Sequence, residues 1–166
     1  MISNELINQL LDIKESYKAP DRMMELMIND VAREKTFKQF LNQETDLSYE
    51  WFQGYFESEH ADRKEKKQDF TPNSVSELGA MILGKSDQYF EATVGTGGMM
   101  IQFWNKNPDA YFEVEELSDR AIPFLLFNMS IRGMNGLVKH GDSLRQEFFA
   151  IYELTGEGKF SEIKRR

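Results

Sequence analysis

Three observations predict an open, mainly parallel α/β sheet preceded by a small helical subdomain. Apolar residues recur with a 3.6-residue period up to about Asp69 and then give way to short strand-like runs. A glycine turn, Gly95-Thr96-Gly97-Gly98, separates one such run from an apolar helix. The next strand-like run closes on Glu115 and Glu116, roughly 20 residues beyond the turn, where a carboxylate can accept hydrogen bonds from a nucleoside ribose. The expected division is residues 1–66 for the helices and 67–166 for the sheet domain.

The bulk properties narrow the function. A chain of 166 residues has room for one compact domain with a helical annex, and 40% hydrophobic residues can build a core without staples. Absence of cysteine excludes disulfides, thiolate metal sites and cysteine nucleophiles, and two histidines among dispersed carboxylates give no metal-ligand spacing, so no metal is expected. No apolar run reaches the roughly 18 residues of a membrane span, and Met1 to Asp12 lacks the order of a signal peptide, so the expectation is a soluble cytoplasmic protein with no membrane partner. Twenty basic against 28 acidic residues leave a net charge of −8, with neither half of the chain basic. DNA as a partner is therefore only weakly supported, and most of the attraction would have to come from a local patch or from another protein.

Four helical stretches are read before Asp69: Leu6, Leu10, Ile13 and Tyr17; Met24, Met27, Ile28 and Val31; Phe37, Phe40 and Leu41; Phe52, Tyr55 and Phe56. Pro20 suits a first helical turn, where its missing donor is not needed. Arg63, Lys64, Lys66 and Lys67 alternate with Asp62 and Glu65 and read as a solvated stretch, with His60 beside it in no catalytic role.

Beyond it, Thr71 is placed to cap a helix over 72–84, with Pro72 at its first position and Val75, Leu78 and Ile82 on one face. A short strand around Tyr89, Phe90 and Ala92 leads to the glycine turn, and Met99 to Trp104 forms a helix. Tyr111 to Val114 is a second strand. A long helix capped near Ser118 then carries Ile122, Leu125, Leu126 and Met129, with Pro123 in conflict with its interior. Gly136 to Val138 begins a third strand, Phe148 to Tyr152 forms a fourth, and Lys164-Arg165-Arg166 reads as a frayed basic tip.

In this order the motifs resemble those of the N6-adenine DNA methyltransferases, in particular the AdoMet-binding half of type I restriction-modification modification subunits and short phage-borne relatives. Phe70-Thr71-Pro72 looks like the opening motif that helps hold the methionine end of AdoMet, and Glu91 to Gly98 looks like the glycine motif, usually D-P-x-x-G-x-G-G. Glu116-Leu117 with Asn128 resembles the segment whose acid binds ribose, and Gly141-Asp142-Ser143-Leu144 the motif whose acid lies near the cofactor adenine. The resemblance covers about residues 66–145 and implies a truncated Rossmann-like methyltransferase fold with S-adenosyl-L-methionine as cofactor. The binding residues it implies are Phe70, Thr71, Pro72, Glu91, Gly95, Thr96, Gly97, Glu116 and Asp142.

Two departures matter. Glu91 and Ala92 replace the usual aspartate and proline, and no Asn/Asp-Pro-Pro-aromatic motif follows Asp142, so no catalytic residue is assigned. That motif orients the adenine amino group and stacks the extruded base. The expectation is thus an AdoMet-binding, adenine-N6 methyltransferase-like protein, incomplete for catalysis alone. The alternative is a non-catalytic phage regulator or mimic that binds a restriction-modification subunit. A restriction-modification subunit, a second copy of the chain and DNA are the partners to consider.

Overall fold

The computed structural model describes residues 2–59 and 70–166. The division expected at 66/67, the charged stretch 62–67 and His60 lie outside the described residues.

Residues 2–59 hold four α-helices, α1 (Asn4–Leu10), α2 (Ala19–Met27), α3 (Asp30–Leu41) and α4 (Gln53–Glu59), with a 3-10 turn at Ser16–Lys18 before α2. Ser3 caps α1 and Asn29 caps α3, each side chain accepting from a backbone N–H three residues on, and Pro20 lies in the first turn of α2. The second predicted stretch is corrected. α2 stops at Met27 and a new helix starts at Asp30, so a period read through the break misplaces Ile28 and Val31, which are exposed together with Tyr17. The inner face of α2 is Met23, Leu26 and Met27.

The second half runs α5 (Asn73–Leu83), β1 (Gln88–Glu91), α6 (Gly98–Trp104), β2 (Tyr111–Glu116), α7 (Ile122–Ile131), β3 (Asn135–Asp142), β4 (Glu147–Thr155) and β5 (Glu162–Arg165). The strands form one open sheet in the order β1-β2-β3-β4-β5. β1, β2 and β3 pair in parallel through α6 and α7, whereas β4 and β5 add antiparallel. The sheet is therefore mixed: the chain returns from β3 by a tight turn, and only a crossover long enough to carry a helix could have kept it parallel. The open sheet flanked by helices is the Rossmann-like architecture expected, with the helical subdomain in front of it and the strands in sequential order.

Three local expectations are corrected. The N-cap of α5 is Pro72, whose carbonyl accepts from the Val75 and Ser76 amides, and no side chain caps the helix, Thr71 included. α7 begins at Ile122 rather than near Ser118, so Pro123 falls in its first turn, where no hydrogen bond is lost. The carbonyl of Ser118 holds the preceding turn by accepting from the Ala121 and Ile122 amides. The basic C-terminus is paired: Lys164 and Arg165 belong to β5, and Arg166 meets Glu153 at 2.8 Å.

All ten residues of α7 are buried, as befits a helix apolar on every side. On one flank its Phe124 and Phe127 meet Phe37, Phe40, Phe52 and Phe56 of the N-terminal half, with ring centroids 4.9–5.8 Å apart and mostly edge-to-face. Helical half and sheet thus share one core, and the shared core fixes α4 and the 45–52 segment against the sheet domain.

Candidate functional site

Each parallel strand ends on an acid: β1 on Glu91, β2 on Glu116 and β3 on Asp142. A cavity of about 340 Å³ lies over these ends. Its wall comes from Gln53 and Phe56 of α4, from Phe70 and Thr71, from the loop 91–95 with Gly98 and Met99, from Glu116 to Ser118 with Ala121, and from Gly141 to Leu144. Ligand sites of open α/β sheets form where the carboxyl ends of parallel strands meet their loops.

Six of the nine expected residues line it: Phe70, Thr71, Glu91, Gly95, Glu116 and Asp142. Pro72, Thr96 and Gly97 do not, and each has another place. Pro72 starts α5. Thr96 is fully buried, with its carbonyl accepting from the Asn128 side chain. Gly97 has φ +103°, a backbone angle that favours glycine, and a Cβ there would lie 2.7 Å from the Met100 methyl, the end of a flexible side chain that would have to shift.

Gly95 differs. At φ +60° it also favours glycine, but a Cβ would meet nothing within 4 Å, so the turn presents bare main chain on an open side. Its amide donates to Glu116 Oε2 at 2.8 Å, and the Ser118 amide donates to Glu116 Oε1 at 2.7 Å. One carboxylate therefore ties the glycine turn to the loop after β2. A carboxylate oxygen accepts two hydrogen bonds, so each oxygen of Glu116 retains capacity for a hydroxyl on the cavity side. Asp142 closes the third edge, with Oδ1 accepting from the Leu144 and Arg145 amides in a strand-end turn. Ser143 ties that turn to the first loop by donating to the Ala92 carbonyl at 2.8 Å.

Burial pushes the Glu91 carboxyl up to about 7; the Tyr89 hydroxyl, donating to it at 2.7 Å, opposes the rise, and the neighbouring Glu116 adds to it. No lysine or arginine lines the cavity among the described residues. No cluster of three His, Cys, Asp or Glu side chains among them is arranged to hold a metal ion.

Behind the turn lies a buried polar network that pattern reading missed. Asn128 on α7 donates from Nδ2 to Glu50 Oε1 at 2.6 Å and to the Thr96 carbonyl at 2.9 Å. Arg132, one turn further along the chain, donates to the Asn128 carbonyl and side-chain oxygen and to the carbonyls of Leu47 and Tyr49. Burial raises the Glu50 carboxyl to about 7, against the pull of Asn128 and Arg132. Burial lowers the Arg132 guanidinium to about 10, against the pull of Glu50 and Asp46. Asn128, which follows Glu116-Leu117 in the family resemblance, does not line the cavity. Phe56, read as a subdomain helix residue, does, and so does Gln53 on the same helix.

With this geometry in place, one comparison is decisive: the model of the family described as N-6 DNA Methylase matches residues 45–162, well over half of the chain. The chain belongs to the N-6 DNA Methylase family. The match takes in the 45–52 segment of the Glu50 network as well as the sheet domain, and it extends beyond the span of the recognised motifs on both sides. No curated protein and no solved structure was found to match.

Membership in the N-6 DNA Methylase family implies S-adenosyl-L-methionine as cofactor, and the cavity fits it. Bare main chain at Gly95 admits close approach, Glu116 offers acceptors for a ribose, and Phe70, Phe56 and Ala121 supply apolar wall. Three carboxyl side chains, with no lysine or arginine beside them among the described residues, suit a cationic sulfonium. Among the described residues no helix is long and apolar enough to cross a membrane.

Proposed function

We propose that this chain is the AdoMet-binding part of a DNA adenine-N6 methylation system and does not transfer the methyl group by itself. The observation that carries the first half is the acid-lined cavity at the ends of three parallel strands. When bound, AdoMet supplies the sulfonium methyl. In this reading Glu116 holds the ribose hydroxyls, Asp142 lies towards the adenine, and Phe70 and Thr71 close over the methionine end. Glu91 keeps the cavity's charge low by holding a proton near neutrality, while Pro72, Thr96 and Gly97 set the loop shapes that leave the Gly95 main chain open.

The second half rests on the sequence: its four prolines, Pro20, Pro72, Pro108 and Pro123, are never adjacent, so the Pro-Pro motif that would orient an acceptor adenine is not in this chain. The sheet after β3 continues as an antiparallel pair and not as another strand–helix step. Partner DNA and a restriction-modification subunit belong to this proposal. The net charge of −8 favours a second reading, a non-catalytic regulator or mimic that meets such a subunit through protein contacts.

Calorimetric titration with AdoMet, S-adenosylhomocysteine, ATP and NAD tests the cavity: saturable binding of the first two alone is expected, and tighter binding of ATP or NAD overturns the assignment. Methyl transfer from labelled AdoMet to adenine-containing DNA, with the chain alone and with a modification subunit carrying the Pro-Pro motif, separates the two readings. Transfer by the chain alone refutes incompleteness, transfer only with the partner supports the first reading, and partner capture without transfer supports the second.

A further inference from the structure

The helix α5 is turned the wrong way round for its sequence. Val75, Leu78 and Ile82 share one face by their spacing, with Met81 beside them, yet these four side chains are 51–76% exposed. The face of α5 that is buried, alongside α6, presents Ser76 and Ala80. A contiguous aliphatic strip on the solvent side of an amphipathic helix is the kind of patch that marks an interaction site. The preceding stretch of this chain, residues 60–69, has Ala61 as its one apolar residue.

We infer that a second copy of this chain covers the strip, with α5 packing antiparallel against its counterpart across a two-fold axis near Leu78. A strip spaced i, i+3, i+7 is self-complementary, since its ridges fit the grooves of an inverted copy, as an isologous contact requires. Charge points to the same place. Each chain carries −8, so two copies repel wherever acids line the surface, and α5 has a single charged residue, Glu77, from Asn73 to Leu83. With Leu83 the strip offers roughly 500 Å² per chain, so the pair buries about 1,000 Å², the lower bound of a specific interface. The dimer is accordingly weak, and it forms and dissociates over the micromolar range.

Sedimentation of the full chain across that range tests the inference. The mass is expected to rise from 19.4 kDa towards twice that value with concentration, and Leu78→Glu or Ile82→Glu is expected to hold it at 19.4 kDa with an unchanged circular dichroism spectrum. A wild-type chain that stays at 19.4 kDa throughout, or a dimer that survives both substitutions, overturns the proposal. Because the protein has no cysteine, Leu78→Cys gives an independent readout that does not load the helix with charge. Mild oxidation is expected to link it into a dimer much faster than Val31→Cys, which is also highly exposed but lies on α3. Equal rates for the two variants reject the placement of the axis.

Discussion

Glu50 and Asn128, 78 residues apart in the chain, meet at 2.6 Å directly behind the glycine turn. The same Asn128 amide nitrogen donates to the Thr96 carbonyl, so the helical half and the loop that shapes the cavity share one donor group. Replacing Asn128 with alanine leaves Glu50 Oε1 and the Thr96 carbonyl without this donor in a buried site, and takes one acceptor from Arg132. Each orphaned polar group costs about 1–3 kcal/mol. Asn128→Ala is expected to lower the unfolding free energy by about 3 kcal/mol in urea titration and to weaken AdoMet binding as the turn relaxes. A loss below about 1 kcal/mol shows that the network carries little of the fold.

The raised Glu50 carboxyl makes stability depend on pH in a stated direction. Folded, it titrates at about 7 against an ordinary 4.5, so between these values the folded chain holds a proton that the unfolded chain has released. The stabilisation is full below pH 4.5 and is lost as pH rises to about 7 and beyond. Glu50→Gln removes this dependence. From about pH 5 to about pH 8 the variant is expected to gain on the order of 2 kcal/mol relative to wild type, read from urea midpoints. Parallel curves for the two proteins refute the assignment of the proton to Glu50. Glu91 carries a second contribution of the same sign, so wild type retains a slope that Glu91→Gln reduces.

Glu116 binds two backbone amides, and amidation spoils one of them. Glu116→Gln places an NH₂ group opposite either the Gly95 or the Ser118 amide, donor against donor, in a nearly buried position. AdoMet affinity is expected to fall by about 10–100-fold, equivalent to about 1.5–3 kcal/mol. Gly95→Val is expected to weaken binding as strongly while costing only the strain of φ +60°, because its Cβ meets no protein atom. Gly97→Val adds the displacement of the buried Met100 side chain to the strain of φ +103° and is expected to lose stability first. Calorimetry with thermal melting of all three variants separates cavity residues from packing residues, and equal effects at Gly95 and Gly97 count against the placement of the cavity.

What could be read in the sequence is what local chemistry dictates. The glycine turn, the acid closing β2 and the order of strands and helices follow from backbone freedom and periodicity within about ten residues, while Glu91 and Asp142 are reached through the family resemblance. Side choice is another matter: the period of Val75, Leu78 and Ile82 is there, but whether that face turns inward depends on what α6 offers, and it accepts Ser76 and Ala80. Pro123 looked like a break because α7 was started too early, and Ile28 and Val31 looked internal because α2 was carried too far. Glu50 was silent, since a lone acid between two helices reads as solvated until its partner, brought in from α7, is known.

Arg132 ties the 45–52 segment to α7 through one side chain, beside the core packing of Trp51 and Phe52. Its guanidinium donates to the carbonyls of Leu47, Tyr49 and Asn128 at 2.8–2.9 Å and to the Asn128 side-chain oxygen at 3.0 Å. Its flat cation also lies about 6 Å from the ring centroids of Trp51 and Trp104. A planar fork of five N–H groups can meet four acceptors in fixed directions, whereas an ammonium with three donors on a flexible stem cannot. Arg132→Lys keeps the charge near Glu50 and yet orphans at least one of these oxygens, so a loss of about 2–4 kcal/mol is expected in urea unfolding. The loss is local in origin: tryptophan fluorescence is expected to report release of Trp51 at lower urea than the circular dichroism of the sheet. Coincident transitions for both probes mean that the segment unfolds only with the core, and that the charge of residue 132, more than its fork, is what holds it.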